Sequence, residues 1–211
     1  MVFRIRSAAL GVILALVGVL GVSPEASAKR VRFIGDSLSM GAFGKTFDAQ
    51  LRSAGHDVFT YVTGGASPYY WLSIYAPMKC TIGHWEKTPD SERRRRVATV
   101  PKIESLLKVH RPEIVVIQNG VNLYSTLRSK RRSKSENVAE VKRLYENMGR
   151  TIAASGAECY WICPPDSHPS RYSRNLQTEM TSIMKSVGGR YGQVFESGKV
   201  TKYSDPYPKN D

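Results

Sequence analysis

Three short stretches of this 211-residue chain hold residues that can do chemistry on a carbonyl: "GDSLS" at 35–39, "TGGAS" at 63–67 and "NGVNLY" at 119–124. Ser37 follows a glycine that permits a tight turn and stands where a strand would give way to a helix. A backbone N–H at such a junction is left without an intrahelical partner and points toward any anion formed there. The same serine could equally be a plain N-cap. Gly64 and Gly65 can let a ligand approach the backbone and leave an N–H free to donate, or can make an ordinary turn. Asn122 can aim its side-chain amide into a shared crevice, or can bond its own backbone in a turn. Taken together, a serine, a backbone donor and an amide donor make a nucleophile with three donors for an oxyanion. This is the equipment for attack on an acyl carbon.

These residues can act together only if the fold gathers them, and the pattern of the chain says how. Apolar and β-branched runs at "VRFIGD" (31–36), "HDVFTYV" (56–62), "EIVVIQNG" (113–120), "ECYWICPP" (158–165) and "QVFES" (193–197) read as strands. Between them lie helical stretches. Phe43, Phe47 and Leu51 are spaced four apart before Gly55, and Ile103, Leu106 and Leu107 follow Pro101. Val138, Val141, Leu144, Met148 and Ile152 share one face of a helix that Ser135 can cap, and Ser173 caps another carrying Leu176, Met180, Ile183 and Val187. Residues 66–98 read as a long, aromatic and irregular loop, the kind that is usually functional. Strand–helix alternation predicts an α/β fold, a three-layer sandwich with a central parallel sheet. In such sheets the site lies at the carboxyl ends of the strands, where all three stretches fall.

Gly-Asp-Ser-Leu (35–38) after the first strand, glycines after the second and Gly-Val-Asn (120–122) after the third resemble the sequence blocks of the SGNH (GDSL) hydrolase superfamily. The resemblance spans residues 31–211. It implies a flavodoxin-like sheet and an esterase or lipase activity, with Ser37 as nucleophile. The oxyanion hole would comprise the Ser37 and Gly65 amides and the Asn122 side chain, with Gly64 an alternative to Gly65. Leu123 stands where the family usually has an aspartate after the asparagine.

The family's last block, D-x-x-H, supplies the base and the carboxylate that orients it. Here "SDPYPKND" reaches Asp211, which the resemblance makes that aspartate, with the histidine three residues further on and a covering helix after it. The expectation is a chain cut inside its catalytic block. A competing base is His168 in "PPDSHPSR", two residues after Asp166, although D-x-H before the last helix is neither the spacing nor the place of the family block. His84 reads as a lid residue, His56 as a strand-start residue and His110 as a helix-end residue.

Composition narrows the setting. Arg4 and Arg6, the apolar run 8–22 and Ala26-Ser27-Ala28 read as a signal peptide over 1–28, leaving residues 29–211 as one hydrolase-like domain, secreted or periplasmic. The apolar run is short for a membrane span. The formal net charge is +13, with cations concentrated in "ERRRR" (92–96) and "RSKRRSK" (128–134). For an exported chain these are either solvated loop charges or a surface for anionic envelope polymers, not for nucleic acid. Export permits disulfides. Cys159 and Cys163 lie about 13 Å apart on one strand at ~3.3 Å per residue, too far to bridge. Any bridge therefore uses Cys80, with Cys163 the better partner, and three buried thiols are the alternative. No metal-ligand spacing is present, and the implied reaction needs no cofactor. The expected substrate is a small-molecule or carbohydrate ester such as an O-acyl group of envelope carbohydrate. A non-catalytic carbohydrate-binding relative and an O-acyltransferase of the same fold are the rivals.

Overall fold

The computed structural model describes residues 27–201. The expected leader, apart from its last two residues, and Asp211 with the stretch leading to it lie outside them. In chain order the elements are β1 (Arg30–Gly35), a 3-10 turn (Ser37–Met40), α1 (Ala42–Ser53), β2 (Asp57–Thr63), α2 (Pro68–Trp71), β3 (Lys79–Cys80), β4 (His84–Lys87), β5 (Glu92–Arg95) and β6 (Ala98–Thr99). There follow α3 (Ile103–His110), β7 (Ile114–Gln118), a 3-10 turn (Val121–Leu123), α4 (Tyr124–Leu127), α5 (Lys134–Ala154), β8 (Glu158–Ile162), α6 (Arg174–Ile183) and β9 (Gln193–Phe195). All five strands expected from the sequence are present. They form a parallel array in the order β2-β1-β7-β8-β9.

The connections from β1 run first to β2 on one side and then, after β2, to β7 on the other. The strand order therefore reverses between β1 and β7, and a crevice opens at their carboxyl ends. Val31, Phe33, Val58, Val62 and Val116 face α1 on one side of the sheet. Ile34, Val115 and Ile117 face the opposite side, where Leu144, Met148 and Ile152 of α5 pack over them. Over β7–β9 the α1 side is less well covered. An apolar groove of about 590 Å³ lies there, lined by Phe43, Phe47, Ile114, Val116, Tyr160 and Phe195 among others.

Residues 66–98 are not an irregular loop. They contain α2, β3–β5 and the first residue of β6, and β4 and β5 add two antiparallel strands to the β2 edge, making a mixed seven-stranded sheet. Four-residue strands are too short to display an alternating pattern, and β5 is charged throughout because it is an edge strand. Its four residues are exposed, and cations on an edge deter pairing with another chain. The hairpin is anchored by Trp85, which is buried under α1, donates from Nε1 to Glu92 at 3.0 Å and stacks beneath Arg94 at 4.7 Å. A second sequence expectation shifts by two residues. Ser133 rather than Ser135 caps α5, in a capping box with Glu136, because the glutamate must stand three residues after the cap to reach back to its N–H.

No disulfide forms. Cys80, Cys159 and Cys163 are buried free thiols, and the expected Cys80–Cys163 pairing is corrected by topology. Cys80 donates to Gly64 O at the end of β2, while Cys163 follows β8. Three strand spacings separate β2 from β8, about 14 Å at ~4.8 Å each. Burial pushes the Cys163 thiol up to about 12.

A buried carboxylate adds a further tie between the antiparallel hairpin and the parallel sheet. Asp48 of α1 accepts from Arg52 Nε at 3.0 Å, from Thr60 Oγ1 of β2 at 2.5 Å and from Lys87 Nζ of β4 at 3.0 Å. Burial alone would raise its pKa; the donors from Arg52, Thr60 and Lys87 hold it below the usual value instead. Asp48→Ala leaves two cations and a hydroxyl facing an empty pocket. Guanidinium unfolding should show a loss on the order of 3 kcal/mol. A loss below about 1 kcal/mol would mean that the two cations are fully resolvated and that the carboxylate is not such a tie.

Candidate active site

The site is built where three strand ends meet. Gly35 closes β1 with its Cα against the next turn, where an added Cβ would stand 2.4 Å from Ser39 Cβ. The chain then enters the 3-10 turn with Asp36, not Ser37, as its cap. The Asp36 carboxylate accepts from Leu38 N at 2.9 Å. This disposes of the capping role for Ser37, which is exposed at the start of the turn. Among the described residues neither its N–H nor its hydroxyl is spent on another group.

At the end of β2 the two glycines part company. Gly64 donates its N–H to Gly83 O at 2.9 Å and so has none to offer a ligand. Gly65 has a φ of 71° and, among the described residues, an N–H with no acceptor. A positive φ of this kind suits glycine. The loop is held from behind by the Cys80 thiol, whose single S–H is shared between Gly64 O at 3.2 Å and Gly83 O at 3.1 Å.

Asn122 joins the three ends. Its Nδ2 donates to Ala66 O, one residue past Gly65, at 2.8 Å and reaches Asp36 Oδ2 at 3.4 Å. A turn asparagine would bond its own backbone; this one spans from β7 to the ends of β2 and β1. Ser37, Gly65 and Asn122 are therefore brought to one crevice. The contact to Asp36 is long, and the shorter bond to Ala66 O keeps the side chain in place.

The buried support beneath the site was not visible in the sequence. Ser39 Oγ donates to Gln118 Oε1 at 2.7 Å, and Asp36 N donates to Gln118 O at 3.2 Å, locking β1 to β7 below the crevice. Nothing local in "VVIQNG" distinguishes Gln118 from a strand-end residue. Asp36 itself is fully buried. Burial pushes its carboxyl up to about 7, against the pull of the Leu38 N–H and the neighbouring Gln118 amide.

Among the histidines, His84 is not a lid residue. It lies on β4, 1% exposed, with Nδ1 at 3.1 Å from Thr63 Oγ1 and its ring 4.2 Å from that of Tyr61. Burial holds its pKa below the usual imidazole range. His168 sits in the loop after β8, where Ser170 N donates to its Nδ1 at 3.2 Å. The same nitrogen lies 2.7 Å from Ser170 Oγ. Asp166 is paired with Arg174 through both carboxylate oxygens.

No protein-family model matches the chain, and no curated protein matches it in sequence. Solved structures match it in fold. AlinE4, described as an SGNH-hydrolase family esterase, aligns with a TM-score of 0.53 at 16% identity over 88% of this chain and 86% of that one. The fold is that of the SGNH hydrolases. A mutant of Axe2, an acetyl-xylooligosaccharide esterase from Geobacillus Stearmophilus, aligns at 0.53 and 12% identity over 86% and 83% of the two chains. The acetyl xylan esterase AlAXEase aligns at 0.52 and 12% identity over 82% and 79%. The SGNH fold accounts for the strand order and for a crevice at the β1/β7 reversal.

The buried Asp36 has a consequence for stability. Its folded pKa lies above its unfolded one, near the ordinary ~4, so the folded state holds a proton that the unfolded state has released between about pH 4 and pH 7. Stability from this group is therefore lost as pH rises through that window. Asp36→Asn keeps an acceptor for Leu38 N and does not titrate. The free energy of the variant relative to wild type, followed by denaturant unfolding, should move in its favour by on the order of 2–4 kcal/mol between pH 4.5 and 8. A pH-independent difference would mean that Asp36 is ionised throughout.

Proposed function

We propose that this chain is an exported serine ester hydrolase acting on O-acyl groups of carbohydrate. The observation that carries the reading is the Asn122 amide, which draws the ends of β1, β2 and β7 together around an exposed Ser37 whose N–H, like that of Gly65, is unspent among the described residues. Ser37 Oγ attacks the acyl carbonyl, and the carbonyl oxygen, now negative, receives the Ser37 and Gly65 N–H groups and an Asn122 amide hydrogen. The proton from Ser37 passes to a base, the sugar alkoxide leaves with a proton, and water releases the acyl group from Ser37. By the resemblance to the SGNH blocks, Asp211 would orient that base. That two of the fold neighbours are named as acetyl xylan and acetyl-xylooligosaccharide esterases supports a carbohydrate ester as substrate. The leader over 1–28 supports export. Replacing water by a sugar hydroxyl in the second step would make the same site an acyltransferase, and the ratio of free acetate to acylated acceptor separates the two.

Ser37→Ala should reduce hydrolysis of p-nitrophenyl acetate to the buffer rate with an unchanged circular dichroism spectrum. Equal turnover in wild type and variant removes Ser37 from the mechanism.

Asn122→Ala should lower kcat by about 10²–10³ with KM little changed, since an oxyanion donor acts mainly in the transition state. A change confined to KM would make Asn122 a substrate contact instead.

A further inference from the structure

Next to Asn122 a second, polar pocket opens at the same end of the sheet. Its volume is about 260 Å³, and Tyr69, Ser125, Thr126, Ser129, Arg131 and Arg132 line it above Asn137. It shares a wall with the crevice, because Ser125 Oγ donates to the backbone oxygen of Asn122 at 2.9 Å. Tyr69 lies four residues past Gly65, in α2. The pocket therefore lies between the segments that carry two of the three oxyanion donors.

Among the described residues, its arginines make no direct ion pair. No ion pair joins Arg128, Lys130, Arg131 or Arg132 to a carboxylate among the described residues. The acid that acts on Arg132 is Glu136, and its carboxylate is already engaged by the Ser133 N–H at 2.8 Å and hydroxyl at 2.7 Å. Further along the rim, Arg128 and Arg171 both stack on Tyr172, at 5.7 and 5.5 Å, which extends the positive strip.

The loop that presents the arginines is ordered in advance. Asn137 is 2% exposed and donates from Nδ2 to Ser129 O at 2.7 Å. Ser129 Oγ accepts from Arg131 N at 3.3 Å, and the Ser133 capping box fixes the far end. The aromatic wall is equally held. The Tyr69 hydroxyl donates to Glu140 at 2.9 Å and its ring meets the edge of Tyr75 at 5.0 Å. A loop already in its binding shape loses little entropy on taking a ligand.

Two guanidinium forks match the oxygens of a carboxylate or phosphate, and an aromatic ring with three hydroxyl-bearing neighbours matches a sugar ring with its hydroxyls. We propose that this pocket is a subsite for an anionic sugar residue, bearing a carboxylate or a phosphate, of the O-acylated glycan whose ester is presented to Ser37. The assignment rests on the esterase reading for the ester, but the subsite itself can be tested by binding alone.

Binding is measured by calorimetry in the Ser37→Ala background, where no turnover interferes. The probes are an oligogalacturonate, a glycerol-phosphate oligomer and a neutral xylo-oligosaccharide. At least one of the two anionic oligomers should bind more tightly than the neutral one, and its affinity should fall between 20 and 200 mM salt. Which of the two binds identifies carboxylate or phosphate as the group recognised. Arg131→Gln with Arg132→Gln should weaken that binding about tenfold or more, as expected for the loss of charge-assisted pairs, while affinity for the neutral oligomer changes less than twofold. Both arginines are exposed, and an unchanged melting temperature will show that the fold is kept. Equal affinity for charged and neutral oligomers, or an unchanged affinity in the double variant, overturns the subsite. So does tighter binding of duplex DNA or of phosphatidylglycerol vesicles through the same arginines. Absence of ester hydrolysis by wild type, with anionic binding intact, overturns the esterase reading and leaves the subsite standing.

Discussion

The arrangement of this crevice depends on one side-chain amide. Asn122, two residues past the glycine that turns the chain out of β7, reaches across the point where strand order reverses and bonds the far strand end at Ala66 O. Parallel strands splay at their carboxyl ends, because the ladder of backbone hydrogen bonds stops there and each strand leaves for a different helix. A cross-strand bond at that level sets the spacing of the ends and hence how Ser37, Gly65 and Asn122 stand to one another. Gly120 makes the reach possible. Its φ of 126° is closed to other residues, and an added Cβ would meet Pro164 at 2.8 Å.

Below that bond lies a layer of buried polar groups bonded to one another. Asp36, Ser39 and Gln118 connect β1 to β7, and Cys80 steadies the glycine loop from the opposite side. Such a layer fixes geometry at some expense in stability, since a carboxyl held in apolar surroundings resists ionisation and its pKa climbs to about 7. Asp48 is the contrasting case. It too has no exposed surface, but it lies less deep, and Arg52, Thr60 and Lys87 donate to it, so its pKa falls. The two carboxylates differ both in depth and in the charge of their neighbours.

The excess of positive charge is divided between two surfaces with different physics. On β5 the arginines decorate an exposed edge strand, where they keep the sheet from pairing onward. In the loop before α5 they are gathered beside a concave surface at the mouth of the crevice. Equal runs of cations in a sequence thus serve as an edge guard in one place and as the wall of a pocket in the other.

The sequence by itself determined the α/β alternation, the five parallel strands and the strand-end positions of Ser37, Gly65 and Asn122. Each of these follows from local signals, namely apolar runs of strand length, helix-spaced hydrophobics and glycines at turns. Tertiary structure decided what depends on neighbours distant in the chain. The hairpin of β4 and β5 was hidden because its strands are short and its outer strand is polar, and its stability comes from Trp85 beneath α1. The Gly64–Gly65 choice turned on Gly83, which takes the Gly64 N–H from a different loop. Cys80 and Cys163 looked bridgeable until strand order set three spacings between their anchoring strands. Asn122 could have closed its own turn, and only the fold supplied the acceptors at Ala66 and Asp36. Backbone propensity acts over a few residues and can be read along the chain, whereas a hydrogen bond between strand ends exists only once the sheet has assembled.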